Sequence, residues 1–250
     1  MNFNIDISNT IVSTQNGINY DCDSSPAAWE YFKSVYDSDN WKLLNEFDLD
    51  NTKTYNELYG TKYKENKYKR LLSPIKSNSE YAKEGILWKR FTIGGDTDFN
   101  FNGMKCRMFE NLLSDDREAI SMLATCRENH HKLFNFSLMP ATGSLNNYKG
   151  KNRYDRFDVL IKDLNDFFNS ISCNVLCEAG QNTQPLKNFL NTFDDIYDYC
   201  KKIYFLHDKA YIDNLIENGR ATIETNSDVI NYMNLALKFW DLKKEYLKTL

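Results

Sequence analysis

Residues 141–154 read Ala-Thr-Gly-Ser-Leu-Asn-Asn-Tyr-Lys-Gly-Lys-Asn-Arg-Tyr and gather the side chains best suited to hold a small anion. Thr142, Ser144, Asn146 and Asn147 supply hydroxyl and amide groups, and Gly143 and Gly150 let the backbone approach a ligand closely. Lys149, Lys151, Arg153 and Arg156 add positive charge. The segment lies where a strand should hand over to a helix, a junction that presents backbone N–H groups and a positive helix end. A phosphate-bearing ligand, such as a nucleotide, is the matching chemistry, with Thr142, Gly143, Ser144, Asn146, Asn147, Lys149, Gly150, Arg153 and Arg156 as its contacts. The segment is not a P-loop, because no Gly-Lys-Ser/Thr follows the glycines, and it lacks the dinucleotide fingerprint. The same residues also suit a long polar turn with left-handed glycines and a charged helix start.

A second constellation is Gly94-Gly95-Asp96-Thr97-Asp98. Paired carboxylates after a strand could hold Mg²⁺ or serve as acid and base, although aspartates also occur in turns simply to bond their own backbone. Asp96 and Asp98 with Lys149, Arg153 and Arg156 would make a metal-dependent enzyme acting on a nucleotide or phosphoester. Such chemistry needs positioned cations more than an unusual nucleophile. Asp48-Leu49-Asp50 repeats the pattern in a poorer context. His130 and His131 are expected at a helix end, interacting with its negative pole. His207 and Asp208 are adjacent and so do not form a natural triad with a cysteine. The six cysteines, at 22, 106, 126, 173, 177 and 200, fit no disulfide framework and no zinc spacing, Cys173 and Cys177 included. Buried, reduced thiols are expected. No metal site and no particular cofactor is implied.

These groups depend on the elements around them. Phe3, Ile5 and Ile7 predict a short strand, and Asn16-Gly17 a turn. Ser24-Ser25-Pro26 opens a helix with Trp29, Phe32, Val35 and Tyr36 on one face. Residues 37–79 read as loops with a short helix at 41–47. Ile86, Trp88, Phe91 and Ile93 predict a strand stopped by Gly94-Gly95, with a partner strand through Phe99, Phe101 and Met104. Ser114-Asp115-Asp116 starts a helix whose apolar side is Ala119, Ile120, Leu123 and Cys126. Residues 133–139 alternate as a strand ending at Pro140.

Beyond 155 the period changes to that of helices. Phe157, Leu160, Ile161, Leu164, Phe168 and Ile171 mark one. Pro185 opens a second, running through Phe189, Phe193, Ile196 and Cys200 to Ile203. A third covers 209–217 and stops at Gly219 as a C-cap. Ser227-Asp228 caps a fourth, with Ile230, Met233, Leu237, Trp240 and Leu247 inward. The expected fold is α+β: a modest, largely antiparallel sheet from the N-terminal half covered by four C-terminal helices. Residues 1–250 are read as a single globular domain, with 1–80 as a candidate subdomain and 81–250 as the core.

Composition narrows the function classes. Sixteen Phe, sixteen Tyr and four Trp supply a packed core and exclude disorder as the main state, despite a mean hydropathy of -0.61. No apolar run approaches the ~18 residues of a membrane span. A net charge of -4 argues against duplex nucleic acid as a partner. The basic stretch Lys62, Lys64, Lys67, Lys69, Arg70, interleaved with Tyr63 and Tyr68, reads as a solvated segment before it reads as a single-strand platform. With no signal peptide evident, a cytoplasmic protein is expected.

Residues 133–140, the turn Thr142-Gly143-Ser144-Leu145-Asn146-Asn147 with Lys149-Gly150, and Asp155-Arg156-Phe157-Asp158 resemble a family of uncharacterised bacterial proteins, a domain of unknown function. Gly94-Gly95-Asp96-Thr97 and the runs 193–199 and 203–206 are similar to it as well, so the resemblance covers about 85–217. It implies that strand, polar turn and helix recur together, and it carries no functional residue. High Asn, Lys, Ile and Tyr usage points to an AT-rich coding sequence, and a phage, phage-defence or mobile-element setting follows as an expectation. The function expected is that of a binding or interaction protein, recognising a phosphate-bearing small molecule or a protein partner. The enzyme described above is the alternative.

Overall fold

A computed structural model describes residues 96–138, 155–171 and 193–250 in side-chain detail. It also describes the backbone at 92–95 and 139–140, short strands at 14–15, 18–19 and 71–72, and isolated positions including 28, 31, 35, 149, 187 and 190. The fold is α+β. Strands β1 (Thr14–Gln15) and β2 (Ile18–Asn19) pair antiparallel, Gln15 opposite Ile18; the turn expected at Asn16-Gly17 lies outside the described residues. A second antiparallel sheet has the order β3 (Leu71–Leu72), β4 (Thr92–Thr97), β5 (Phe136–Pro140). Helices α1 (Gly103–Leu113) and α2 (Arg117–Asn129) lie between β4 and β5 in sequence. After β5 come α3 (Phe157–Phe168), α4 (Ile196–Tyr204), α5 (Lys209–Gly219) and α6 (Asn226–Leu247). None of the described helices is long and apolar enough to cross a membrane.

Several elements depart from the sequence expectation, each for a local reason. Gly94 and Gly95 do not stop β4, since they pair with Met139 and Leu138 in mid-ladder. β4 pairs with β3 and β5, and no strand runs through Phe99, Phe101 and Met104. Phe99 and Phe101 instead drop into the core from an unpaired stretch, and Met104 is exposed on α1. Ser114 ends α1; the cap of α2 is Asp116, whose carboxylate accepts from the Ala119 N–H. Ile120 is exposed on α2, while Ala119, Leu123 and Cys126 are buried. The helix expected from Pro185 to Ile203 is interrupted at 193–195, where Asp195 caps α4 afresh. Thr225 rather than Ser227 caps α6, closing a capping box with Asp228. Near the N-terminus Ala28, Tyr31 and Val35 are helical and buried.

The core is aromatic. Phe99 sits within 5.0–5.3 Å of the rings of Phe157, Tyr232 and Phe239, and Phe101 meets Phe109 at 5.8 Å. Helix α6 supplies Tyr232, Phe239 and Trp240, all buried. Asn135, fully buried, ties the cluster together with four hydrogen bonds. Its Oδ1 accepts from Phe99 N–H (3.0 Å) and Trp240 Nε1–H (2.8 Å), and its Nδ2 donates to the carbonyls of Phe99 and His130. An Asn amide in an apolar interior is tolerated when its bonding capacity is used in this way.

Gly219 acts by its size and not as a left-handed cap. A Cβ there would strike the carbonyl oxygen of Asp158 and come within 2.7 Å of Lys162 Cβ, so α5 reaches α3 only through glycine. The left-handed cap belongs to Phe205 after α4, with φ 59°. Its ring stacks on Tyr246 at 6.0 Å, which offsets the roughly 1–2 kcal/mol strain of an L-residue in that conformation.

Candidate functional site

Three polar clusters join residues of the sheet, Lys149, residues 155–158 and the C-terminal helices. The first is centred on Lys149. Its Nζ donates to the Thr97 carbonyl at 2.6 Å and pairs with Asp96 Oδ2 at 3.3 Å and Asp155 Oδ1 at 3.1 Å. The Lys149 side chain is 1% exposed, whereas Asp96 and Asp155 keep 18% and 14% of theirs. Asp96 Oδ1 accepts from Thr97 N–H, and Asp155 Oδ2 accepts from Asn100 Nδ2 at 2.6 Å. Asp155 also adopts a left-handed backbone conformation, φ 52°.

One ammonium thus holds two carboxylates, and their surroundings push them apart. Burial lifts the Asp96 carboxyl to about 6; Lys149 opposes this and the Asp155 charge adds to it. Burial also acts to raise Asp155, but Lys149 and the Asn100 amide outweigh it and hold that carboxyl below its ordinary value. Burial works against the Lys149 charge, yet Asp96 and Asp155 keep it firmly protonated. Divergent carboxylates in one cluster can divide the roles of proton donor and acceptor.

The second cluster lies deeper. Lys243 Nζ, fully buried, contacts Asp98 Oδ2 at 2.8 Å, Ser137 Oγ at 2.7 Å and the Phe136 carbonyl at 2.9 Å. Ser137 donates to the same Asp98 oxygen at 3.0 Å. The third cluster is Arg156 with Asp158. The guanidinium grips both Asp158 oxygens and donates to the carbonyls of Ala221 (2.5 Å) and Asn218 (2.7 Å), locking the start of α3 to the end of α5.

The expected ligand contacts distribute unevenly. Lys149 and Arg156 do not open outward; both are sealed and already neutralised by Asp96, Asp155 and Asp158. The positive end of α3 is likewise met by the chain's own Asp158, which accepts from Val159 N–H. Thr142, Gly143, Ser144, Asn146, Asn147, Gly150 and Arg153 lie outside the described residues, as do Lys151, Cys173, Cys177, Asp48, Asp50 and the basic stretch 62–70. Asp96 and Asp98 share a strand end but serve different lysines. Among the described residues, no group of three or more His, Cys, Asp or Glu could hold a metal ion.

His130 stands at the end of α2 as its C-cap, as expected. Burial lowers its ring to about 4, and Nδ1 lies 3.3 Å from both the Phe101 N–H and the Phe99 carbonyl. His207 stacks on Tyr246 at 4.2 Å, while Asp208 caps α5. Cys106, Cys126 and Cys200 are free and buried, as expected.

Local sequence pattern does not mark Asp155 or Asn100 as members of the site. Lys243 did leave a signal: it stands in register with Phe239, Trp240 and Leu247, and a lysine on a core-facing stripe calls for a buried carboxylate. No family model, curated protein or solved structure matches the chain. Fold and site together define an α+β protein whose sheet end carries a lysine-bridged carboxylate pair.

Proposed function

We propose that this chain is a cytoplasmic binding protein that recognises an anionic ligand, a nucleotide or other phosphate-bearing molecule, through the 141–156 segment. It would belong with the uncharacterised bacterial family that it resembles, in a phage or mobile-element setting. The observation that carries the reading is the pair of buried anchors, Lys149 on the end of β4 and Arg156 on α5. A segment fixed at two points loses less conformational entropy when it takes a ligand. In this reading Lys149 and Arg156 are supports, and Thr142, Gly143, Ser144, Asn146, Asn147, Gly150 and Arg153 are the contacts.

A thermal-shift series with inorganic phosphate, AMP and ATP, with and without Mg²⁺, tests it. Binding at a hundredfold excess over the dissociation constant stabilises by about 2.7 kcal/mol. Arg153→Gln should abolish the shift while leaving the unliganded melting point unchanged. If no phosphate compound shifts the parent, the anionic reading fails and a protein partner takes its place.

One observation favours a second reading, an enzyme acting on a nucleotide or phosphoester. Asp96 is partly exposed, lies near 6 and shares Lys149 with Asp155. Asp96 would then be the acid–base group, and turnover would follow a titration near pH 6 that Asp96→Asn removes.

A further inference from the structure

The sequence holds three Asn-Gly pairs, at 16–17, 102–103 and 218–219, of which the first lies outside the described residues. Asparagine is a chemically labile side chain, and a following glycine has no Cβ to shield the peptide nitrogen between them. The two described pairs stand in opposite surroundings. Asn102 and Gly103 are both exposed at the start of α1. The Gly103 N–H donates to Asn102 Oδ1 at 2.7 Å, so the carboxamide is already turned toward the nitrogen that follows it. Gly103 takes φ 57°, and nothing lies within 4 Å of where a Cβ would stand. Asn218 is held instead. Its Nδ2 donates to Asp158 Oδ2, its Oδ1 accepts from Asn231 Nδ2, and its carbonyl accepts from Arg156. Gly219 beside it is pressed against the backbone of Asp158.

We propose that Asn102-Gly103 is a spontaneous modification site, where the Asn102 carboxamide converts to a mixture of aspartyl and isoaspartyl residues. Solvent base removes the Gly103 N–H proton, and the nitrogen lone pair forms a bond to Asn102 Cγ. The Cγ–Nδ2 bond breaks, and Nδ2 leaves as ammonia with a proton from water. One water molecule then opens the cyclic imide. Attack at Cγ restores the normal backbone as aspartate; attack at the main-chain carbonyl reroutes the backbone through Cβ and Cγ as isoaspartate. The products act differently on α1. Aspartate keeps a capping oxygen and supplies an anion to a first turn that has none. Isoaspartate adds a methylene to the main chain directly after Phe101, whose ring packs on Phe109 and Tyr232. This site is independent of the 141–156 segment and of any ligand there.

The folded full-length chain, held in mildly alkaline buffer and sampled over days, is digested, and fragment mass spectra follow conversion at Asn102 and Asn218. Asn102 should convert roughly tenfold faster or more, because the two side-chain hydrogen bonds of Asn218 must open before its carboxamide can turn. Both products should appear at 102, separated by chromatography, and in urea the two rates should converge. Equal rates in the folded chain, or a gap that persists in urea, would overturn the proposal. So would aspartate without isoaspartate at 102, or a mass gain in that peptide that survives Asn102→Ser.

Discussion

Replacing Lys243 by methionine keeps most of the stem that packs against Phe239 and removes only the ammonium. The loss can be worked from its contacts. Lys243 Nζ neutralises Asp98 and donates to Ser137 and the Phe136 carbonyl, all without solvent. Deleting one partner of a buried pair leaves the other charge uncompensated, which costs about 3–5 kcal/mol. That is a large share of the roughly 5–15 kcal/mol that keeps a domain folded. For a chain of this size it corresponds to a melting point lower by on the order of 10 °C.

The loss must also depend on pH. Burial already raises Asp98 against the opposing pull of Lys243, so K243M raises it further. A carboxyl raised in the folded state contributes stability that is present at low pH and lost as pH climbs through its folded value. K243M should therefore approach the parent near pH 5 and fall furthest behind at pH 8. Urea titrations followed by tryptophan fluorescence across that range provide the measurement. Adding D98N should recover at least about 1 kcal/mol of the loss, since no orphan charge remains. A K243M variant within about 1 kcal/mol of the parent, or a deficit flat with pH, would refute the reasoning.

Two further predictions concern the neighbouring clusters. Asp96, raised from 3.8 to about 6, makes the parent lose roughly 2–4 kcal/mol as pH rises from 4 to 7; D96N should flatten that slope in urea midpoints taken at each pH. Gly219→Ala should destabilise by about 1–3 kcal/mol through collision with Asp158 and Lys162, although helix propensity alone favours alanine by up to ~1 kcal/mol. A melting curve decides between the two signs.

What the sequence made legible follows from which forces are local. The apolar stripe of α3 and the four C-terminal helices were readable because helical periodicity acts over a few residues. The role of Phe99 and Phe101 was not. Their alternation looks like a strand, but β4 takes its hydrogen bonds from β3 and β5, and the two rings answer to Tyr232 and Trp240 far along the chain. Helix α1 was lost for the same reason. Charge misled at Lys149 and Arg156, where residue type announces a cation and is silent about which carboxylate will neutralise it. At His130 the place at a helix end was legible, while the burial that lowers its ring is set by three-dimensional packing.

Helix α6 carries a consequence for how the molecule is made. Trp240 reaches back 105 positions to Asn135, and Lys243 reaches back 145 to Asp98. During synthesis the sheet and the first helices emerge long before these partners exist, with a bare aromatic surface and a lone interior carboxylate. Folding must wait for a late, long-range docking step, and in that interval the growing polypeptide is a natural client for chaperones.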